Sequence, residues 1–366
     1  MSAPIRVGLV GTSWWAEGMF LPALTSHPGA QVAALCGRGR PRAEELAGRF
    51  GVPQVFTDYG EMIDRGGLDA LVVAAPDDLH HPMTLRALGA GLHVRCDKPL
   101  ASDGAQALEM WRAARAAGVV HLVLFTFRWL PAFRHLEKLV AEGYVGRVHH
   151  AEFHYLSGSG RTDAYGWRFD RRRANGVLGD VGSHLIDLAH ALVGPITRVS
   201  ARLAVEYPRQ APPGGVIEPT NDVALLQVDF AGGAVGLLQT SCVAHLGDRG
   251  MQQRVALYGQ VGSLELEVAY SGAEGGARLR GARGPNGRFQ AIDIPDGALG
   301  ALPHSDPASV FCTQSAGPRL FIDAIRSGAP ATPDFGAGYR AQCVIDAALR
   351  ADAEGRGVAV ETAAGL

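Results

Sequence analysis

The sequence has few cysteines, and their placement disfavours cross-links and structural metal sites. Five of the 366 residues are cysteine: Cys36, Cys96, Cys242, Cys312 and Cys343. The number is odd, the positions are widely separated and no C-x-x-C pair occurs, whereas disulfide frameworks and structural zinc sites depend on paired cysteines. We therefore expect a reduced protein that binds no metal.

Excess charge and long apolar stretches are also lacking. The net charge is −2, so nothing indicates nucleic acid or an anionic membrane as a partner. No apolar stretch reaches the roughly 18 residues needed to cross a bilayer, and the first residues lack the pattern of a signal peptide. The sequence predicts a soluble, cytoplasmic protein.

The length favours two domains, at about 150 residues per domain. In residues 5–125 short apolar runs alternate with helical patterns such as Pro41–Phe50 and Pro82–Gly89. This alternation predicts βαβ units and a parallel, doubly wound sheet. The predicted strands are Ile5–Val10, Gln31–Cys36, Ala70–Ala74, His93–Arg95 and His121–Phe125.

Beyond Arg128 the pattern changes to successive strands with few helices between them, which favours a mainly antiparallel sheet in an α+β domain. We place a dinucleotide-binding domain at 1–126 and a second domain at 127–366. Ala273–Pro285 is predicted to be an exposed loop, and Tyr339–Ala353 a final helix. The predicted strands are Val148–Tyr155, Thr197–Tyr207, Asp222–Phe230, Ala234–Cys242, Gln253–Tyr258 and Ser263–Val268.

The first strand leads into a glycine-containing turn and then a helix. In the dinucleotide fingerprint G-x-G-x-x-G/A, Gly11 takes the first position, Ser13 replaces the second glycine and Ala16 fits the third. A serine can still offer its N–H and hydroxyl to a phosphate at a helix N-terminus. The alternative is a glycine-containing strand–helix turn that binds no ligand.

The end of the second strand lacks the acidic residue that usually accepts from the ribose 2′-hydroxyl of NAD. Gly37 is instead followed by Arg38, Arg40 and Arg42. Guanidinium groups pair well with a 2′-phosphate, so the sequence favours NADP(H) over NAD(H). The alternative is that these arginines only solvate a loop.

Lysine is scarce in this chain, and one of its two lysines follows a predicted strand. Lys138 lies in a predicted helix, whereas Lys98 precedes Pro99 directly after the fifth strand. Open α/β sheets bind ligands at the carboxyl ends of their strands. Lys98 is therefore a candidate active-site residue, with an ordinary surface lysine as the alternative.

A mostly apolar helix beginning near Asn175 carries three polar residues on one stripe. Asp180, His184 and Asp187 are spaced i, i+4 and i+7. Such residues must be satisfied inside the core or face a polar cleft. In the structural alternative, Asp180 is an N-cap, His184 is a hydrogen-bonded core residue and Asp187 is a surface residue.

Several motifs in the same order resemble those of the Gfo/Idh/MocA oxidoreductase family. The family's E-K-P motif corresponds to Asp97-Lys98-Pro99, and its D-x-G-x-H-x-x-D motif is complete from Asp180 to Asp187. Its Pro-x-x-x-His turn matches Pro76 to His80, and its R-x-x-P segment matches Arg128 to Pro131. The resemblance covers nearly the whole chain and implies a Rossmann domain followed by an open-faced sheet domain.

The resemblance implies reversible hydride transfer between a nicotinamide and a secondary alcohol of a sugar, cyclitol or related polyol. His184 would exchange the proton, Lys98 would stabilise negative charge on the substrate oxygen, and Asp180 would orient the imidazole or bind a hydroxyl. The role of Asp187 stays open. Tyr155, Trp167 and Arg168 are expected to contact substrate, or else to pack in the core. The expected cofactor residues are Gly11, Thr12, Ser13, Trp14, Ala16, Gly37, Arg38, Arg42, Ala75, Pro76, His80, Asp97, Lys98 and Arg128.

Two other functions remain open: a glycosidase that uses a tightly held NAD, and a non-catalytic sensor of dinucleotides or sugars. The resemblance also implies a homo-oligomer, a dimer or tetramer, formed through the open face of the second sheet. Ala224, Leu226 and Val228 are the alternating apolar residues expected on that face.

Overall fold

The computed structural model describes residues 3–295 and 307–363, which form two compact units. The first unit comprises residues 3–125 and 308–339, and the second comprises 126–295, 307 and 340–363. The first break, after Phe125, lies one residue from the predicted boundary. Residues 308–339 belong to the first unit and not to the second domain, which is where the sequence analysis places them.

The first unit is built on a six-stranded parallel sheet with the order β3-β2-β1-β4-β5-β6. The prediction of a doubly wound parallel sheet is therefore confirmed. Its central strands are almost completely buried, which explains why they read as continuous apolar runs. The strands are β1 Ile5–Val10, β2 Ala30–Cys36, β3 Gln54–Phe56, β4 Ala70–Val73, β5 His93–Cys96 and β6 His121–Val123.

Helices connect these strands in the order that βαβ units require. A π-helical turn, Ala16–Phe20, leads into the first helix. Further helices of this unit follow much later in the chain. The helices are α1 Leu21–Thr25, α2 Arg40–Phe50, α3 Tyr59–Arg65, α4 His80–Gly89, α5 Gly104–Ala117, α8 Pro307–Thr313 and α9 Pro318–Ser327.

The second unit contains a nine-stranded sheet with the order β14-β13-β12-β11-β7-β10-β9-β8-β15. All neighbouring pairs are antiparallel except β7 and β10, so the predicted open, mainly antiparallel sheet is confirmed. The strands are β7 Val148–Ser157, β8 Ile196–Ala204, β9 Val223–Phe230, β10 Val235–Ser241, β11 Met251–Gly259, β12 Gly262–Ala269, β13 Gly276–Arg283, β14 Gln290–Ala291 and β15 Val358–Ala359. The helices are α6 Pro131–Ala141, α7 Ser183–Leu192 and α10 Phe335–Glu354, whose first residues belong to the first unit.

The two faces of the second sheet differ in what covers them. Leu226 and Leu238 lie with Leu185 and Ile186 of α7 around one small apolar site. Ala224, Leu226 and Val228 are buried on this covered face, so assigning them to the open face was wrong. The apolar residues of the open face are one position out of phase: Leu225, Val235 and Leu237, exposed by 44%, 48% and 53%.

The loop predicted at Ala273–Pro285 is also wrong, because strand β13 occupies Gly276–Arg283. The strand pairs along its length with β12, and Leu279 is its one large buried apolar side chain. Arginines and glycines fill most of the other positions, so the alternation that marks a strand is faint in the sequence.

Candidate functional site

The turn after β1 is shaped for a close approach of backbone. Gly11 has φ = +129°, and a Cβ at this position would lie 2.3 Å from the carbonyl oxygen of Ala74. Its N–H donates to the carbonyl of Cys36 at 2.9 Å, so the turn lies where β1, β2 and β4 end. Glycine is required here for both conformation and space, as expected of the first glycine in a dinucleotide fingerprint.

Ser13 begins the helical segment that follows this turn. Its hydroxyl is 3.4 Å from the N–H of Ala16, and its carbonyl accepts from Glu17 at 3.0 Å. Ala16 is completely buried, whereas the Trp14 ring is 73% exposed and touches Trp15 edge-on, with the ring centroids 5.3 Å apart. Packing in the core therefore explains the small residue at position 16, but it does not explain the exposed tryptophan at position 14.

The arginines after β2 differ in whether they pair with carboxylates of the protein. Arg42 pairs with Glu17 and, at 2.7 Å, with Glu45, while Arg40 lies 3.4 Å from Glu44. Arg38 is exposed, and no carboxylate in the described part of the chain lies within ion-pair distance of it. Of the arginines predicted to receive a 2′-phosphate, Arg38 is thus the one whose charge is not already neutralised.

His80 ties together the turns after β4 and β5. Its Nδ1 is 2.8 Å from the carbonyl of Pro99 and its Nε2 is 2.9 Å from the carbonyl of Ala75. The ring is completely buried; burial lowers the pKa of His80, and the Asp97 carboxylate opposes that shift. Both ring nitrogens lie at hydrogen-bond distance from main-chain oxygens, so the ring holds the two turns next to each other.

The Asp97-Lys98-Pro99 motif directly follows β5. The Asp97 carboxylate accepts from the main-chain N–H of Lys98 at 2.8 Å, and Asp97 is 9% exposed. Lys98 is half-buried. The carboxylate therefore fixes the backbone that presents Lys98 at the carboxyl edge of the sheet.

In the second unit, a buried asparagine holds the start of the helix that carries the polar stripe. The Asn221 side chain accepts from Leu178 N–H at 2.9 Å and donates to the Asn175 carbonyl at 3.0 Å. Gly176 between them has φ = +65°, and a Cβ there would lie 2.3 Å from the Asn221 carbonyl. Sequence reasoning missed Asn221, because it is 43 residues from Leu178 and belongs to no motif.

The polar stripe lies inside the helix. A π-helical turn, Leu178–Gly182, runs directly into α7, and the N-cap is Val177. Asp180 is therefore not an N-cap, which removes that structural alternative. Asp180 is half-buried, and its carboxylate lies 3.3 Å from Nε of Arg168.

His184 and Asp187 both contact the short segment before α6. The His184 ring is 5% exposed and lies on the Phe127 ring, with centroids 4.4 Å apart. Asp187 is 2% exposed and binds Arg128 through two hydrogen bonds, of 2.7 and 3.0 Å. Asp187 is therefore not a surface residue. The Arg128 guanidinium also lies 3.4 Å from Glu137. This predicted cofactor residue therefore already pairs with two carboxylates of its own unit.

The residues predicted to contact substrate lie near the polar stripe. Arg168 lies over the Trp167 ring at 4.2 Å while it pairs with Asp180. Tyr155 is 9% exposed and packs on Phe127 at 5.4 Å, and burial raises the pKa of its phenol. The fold thus brings Tyr155, Trp167 and Arg168 to the helix of Asp180 and His184, with Phe127 as a contact that no motif predicted.

With this geometry described, comparison with known proteins decides the family. Residues 5–125 match the family model described as "Oxidoreductase family, NAD-binding Rossmann fold", and residues 133–265 match the GFO/IDH/MocA C-terminal domain. The chain belongs to the GFO/IDH/MocA oxidoreductase family. The resemblance inferred from the motifs is confirmed, and the protein is an NAD-binding oxidoreductase.

Some similar proteins match nearly the whole chain, and others match about half of it. Levoglucosan dehydrogenase of Pseudarthrobacter phenanthrenivorans is 28% identical over 96% of both chains. A solved structure of levoglucosan dehydrogenase with NADH and levoglucosan has 26% identity and a TM-score of 0.86, covering 98% of this chain and 100% of that one. The scyllo-inositol 2-dehydrogenase (NADP(+)) of Bacillus subtilis is 32% identical over 54% of this chain and 61% of its own.

The residues that the structure describes offer neither a membrane-spanning helix nor a cluster of metal ligands. Within residues 3–295 and 307–363, none of the helices combines the length and apolar character that a membrane crossing requires. The same residues contain no group of three or more side chains arranged to ligate a metal ion.

Proposed function

We propose that this protein transfers a hydride between a nicotinamide cofactor and a secondary alcohol or ketone of a sugar, cyclitol or related polyol. The observation that carries the proposal is the His184 helix: the His184 imidazole packs on Phe127, and one turn earlier the Asp180 carboxylate pairs with Arg168, which lies over Trp167. The named activities of the levoglucosan and inositol dehydrogenases support the same class of substrate.

His184 is the proposed proton acceptor when the alcohol is oxidised. An imidazole has an ordinary pKa of about 6.5, which suits exchange of a proton near neutral pH. Contact with Phe127 and burial restrict the ring to one orientation. Asp180, one helical turn earlier, orients the imidazole or accepts a neighbouring substrate hydroxyl.

Lys98 is the proposed electrostatic partner of the reacting oxygen. Its ammonium donates to that oxygen and stabilises the negative charge that develops as the proton leaves. When bound, the cofactor supplies the nicotinamide that accepts or returns the hydride.

Trp167, Arg168 and Tyr155 are proposed to recognise the rest of the substrate. An aromatic ring offers a flat apolar face to the C–H side of a sugar, while Arg168 and Asp180 supply charged partners for hydroxyl groups. The Tyr155 phenol is protonated near neutral pH and able to donate, and burial raises its pKa further.

The turn after β1 fits a dinucleotide. Gly11 leaves room for the close approach of a pyrophosphate, and the main-chain N–H groups of Ser13 and Trp14 begin the helix that follows. Thr12 packs where Gly37 lacks a side chain, which keeps the ends of β1 and β2 close together. The other proposed cofactor residues are Ala16, Ala75, Pro76, Asp97 and Lys98.

We further propose a preference for NADP(H), carried by Arg38. Replacing Arg38 with alanine should weaken binding of NADPH about tenfold or more and change binding of NADH little, because only NADPH carries the 2′-phosphate. Titration by nicotinamide fluorescence measures both constants. Arg40→Ala is the matched control, since its guanidinium already lies beside Glu44. Equal losses for both cofactors in Arg38→Ala would contradict the assignment.

We propose a homo-oligomer, a dimer or tetramer, that buries the open face of the second sheet. Leu225, Val235 and Leu237 form an exposed apolar group on neighbouring strands β9 and β10. Light scattering on the wild type and on Leu237→Glu tests this interface. A wild type that is monomeric at working concentration would exclude it.

The test of the function is turnover with a panel of sugars and cyclitols, including levoglucosan and inositols, followed through the absorbance of the reduced nicotinamide. We expect reversible reduction of NADP⁺ or NAD⁺ with at least one polyol. Bound cofactor without turnover across the panel would count against a dehydrogenase. Cleavage of aryl glycosides without net reduction would support the glycosidase instead.

A further inference from the structure

An arginine lies on an interior strand of the buried sheet of the first unit. Arg95 on β5 is in register with Val72 on β4 and with Leu122 on β6. Val72 in turn is in register with Leu9 on β1. These neighbours are apolar and completely buried, and Arg95 is completely buried among them. A charged side chain in this row needs an explanation, because the interior strands of a covered parallel sheet are normally apolar.

The surroundings of the Arg95 guanidinium satisfy it only in part. The group lies over the Phe20 ring at 4.0 Å. Its Nη2 is 3.9 Å from the Asp97 carboxylate, and within the described residues none of its three nitrogens has a hydrogen-bond partner. Burial lowers the pKa of Arg95 to about 10, so the group is still charged near neutral pH. Burying a charge with so little compensation destabilises a fold.

The Asp97 carboxylate connects this buried charge to the proposed active site. The same oxygen, Oδ1, lies 3.9 Å from Arg95 and accepts the main-chain N–H of Lys98 at 2.8 Å. Asp97 is also one of the proposed cofactor residues. A change in the position or charge of this carboxylate therefore reaches both cofactor binding and the backbone of Lys98.

We propose that Arg95 is a positioning residue, whose buried guanidinium holds the Asp97 carboxylate in place and thereby sets the turn that presents Lys98. The proposal rests on the proposed function, because it gives Arg95 a role in the reaction of Lys98. The cation–π contact with Phe20 holds the guanidinium beneath the carboxyl edge of the sheet, within reach of Asp97.

A purely structural role makes a different prediction. If Arg95 only fills space, an unbranched apolar side chain of similar length should replace it without functional loss, and the fold should gain stability. If Arg95 acts through Asp97, the same replacement should leave the fold intact or stabilised while the site loses function.

The experiment is a double-mutant cycle of Arg95→Met and Asp97→Asn. For Arg95→Met we expect a Tm no lower than wild type, weaker binding of NAD(P)H and a kcat lowered by roughly tenfold to a hundredfold, as for a small misplacement of a catalytic group. In the Asp97→Asn background, Arg95→Met should cost nothing further.

Two further variants keep the proposal testable if Arg95→Met folds poorly. Arg95→Lys retains the charge and should recover part of the lost cofactor affinity. Arg115→Met, which removes an exposed arginine lying over Trp111 at 5.7 Å in the same unit, is the matched control and should behave as wild type.

The experiment distinguishes a failure of this proposal from a failure of the proposed function. Wild-type kcat and cofactor affinity in Arg95→Met would overturn the proposal, as would a loss of the same size in the Asp97→Asn background. A wild type that binds NADPH or NADH but turns over no polyol would count against the proposed function. The cofactor affinities in the cycle would still report whether Arg95 acts through Asp97.

Discussion

Replacing His184 with asparagine is expected to lower kcat by about 10²- to 10⁴-fold, the usual contribution of a general base. Asparagine keeps a polar side chain of moderate size on α7 but cannot take up the substrate proton near neutral pH. The contact with Phe127 shrinks, so we expect only a modest fall in Tm. Steady-state kinetics in the direction of alcohol oxidation, together with thermal unfolding, measure both quantities.

His190→Asn is the matched control for this variant. His190 lies on the same helix and is partly buried; burial, with the nearby charges of Arg340 and Arg128, lowers its pKa to about 4. It is therefore neutral at operating pH, and its loss should leave kcat near wild type. A His184→Asn enzyme with more than a tenth of wild-type kcat would rule out His184 as the proton acceptor.

Much of the fold was predictable because its strands carry strong local signals. β1 was predicted to the residue, and β2, β4 and β5 to within one residue at either end, since strands covered on both faces are short, continuous apolar runs. Strands β7 to β12 were predicted less sharply, to within three residues at either end.

Some features depend on tertiary contacts that leave little trace in the sequence. The alternation in β9 showed correctly that its residues face two ways, but which face α7 covers is decided by packing, so Ala224 rather than Leu225 was assigned to the open face. The return of 308–339 to the first unit is likewise a long-range contact.

The motifs located the candidate site but not the role of each member. Arg128 and Asp187 each belong to a motif, yet only the fold shows that they bind one another across 59 residues. Arg38 and Arg42 are equivalent in the sequence, but in the structure Arg42 pairs with Glu17 on the helical segment that follows the turn after β1. Partners distant in sequence decide which charges remain for a ligand.

Phe127 and Arg128 suggest why the family motif extends to its last aspartate. Neighbouring residues of one short segment contact His184 through a ring and Asp187 through a paired guanidinium. The two contacts are one helical turn apart on α7, so together they restrict both rotation and sliding of the helix. We therefore propose that Asp187 supports the orientation of His184 and takes no part in the chemistry itself.

Replacing Lys98 with methionine is expected to lower kcat by about 10²- to 10³-fold, the usual effect of removing one preorganised donor at a developing oxyanion. Methionine preserves length and apolar packing but removes the ammonium. Because Asp97 still accepts the main-chain N–H of residue 98, the turn should persist and cofactor binding should change much less than kcat. Steady-state kinetics and fluorescence titration with NADPH and NADH separate the two effects.

The scarcity of lysine supplies an unusually clean control. Lys138, the other lysine, is 66% exposed and lies 3.7 Å from Glu142 on α6, so Lys138→Met should retain wild-type kcat. In that variant Lys98 is the single lysine, and a lysine-specific reagent should then abolish turnover in step with modification of one side chain. Bound cofactor with substrate should slow this inactivation if Lys98 lies at the reacting oxygen. Undiminished turnover after complete modification, or in Lys98→Met, would exclude Lys98 from the reaction.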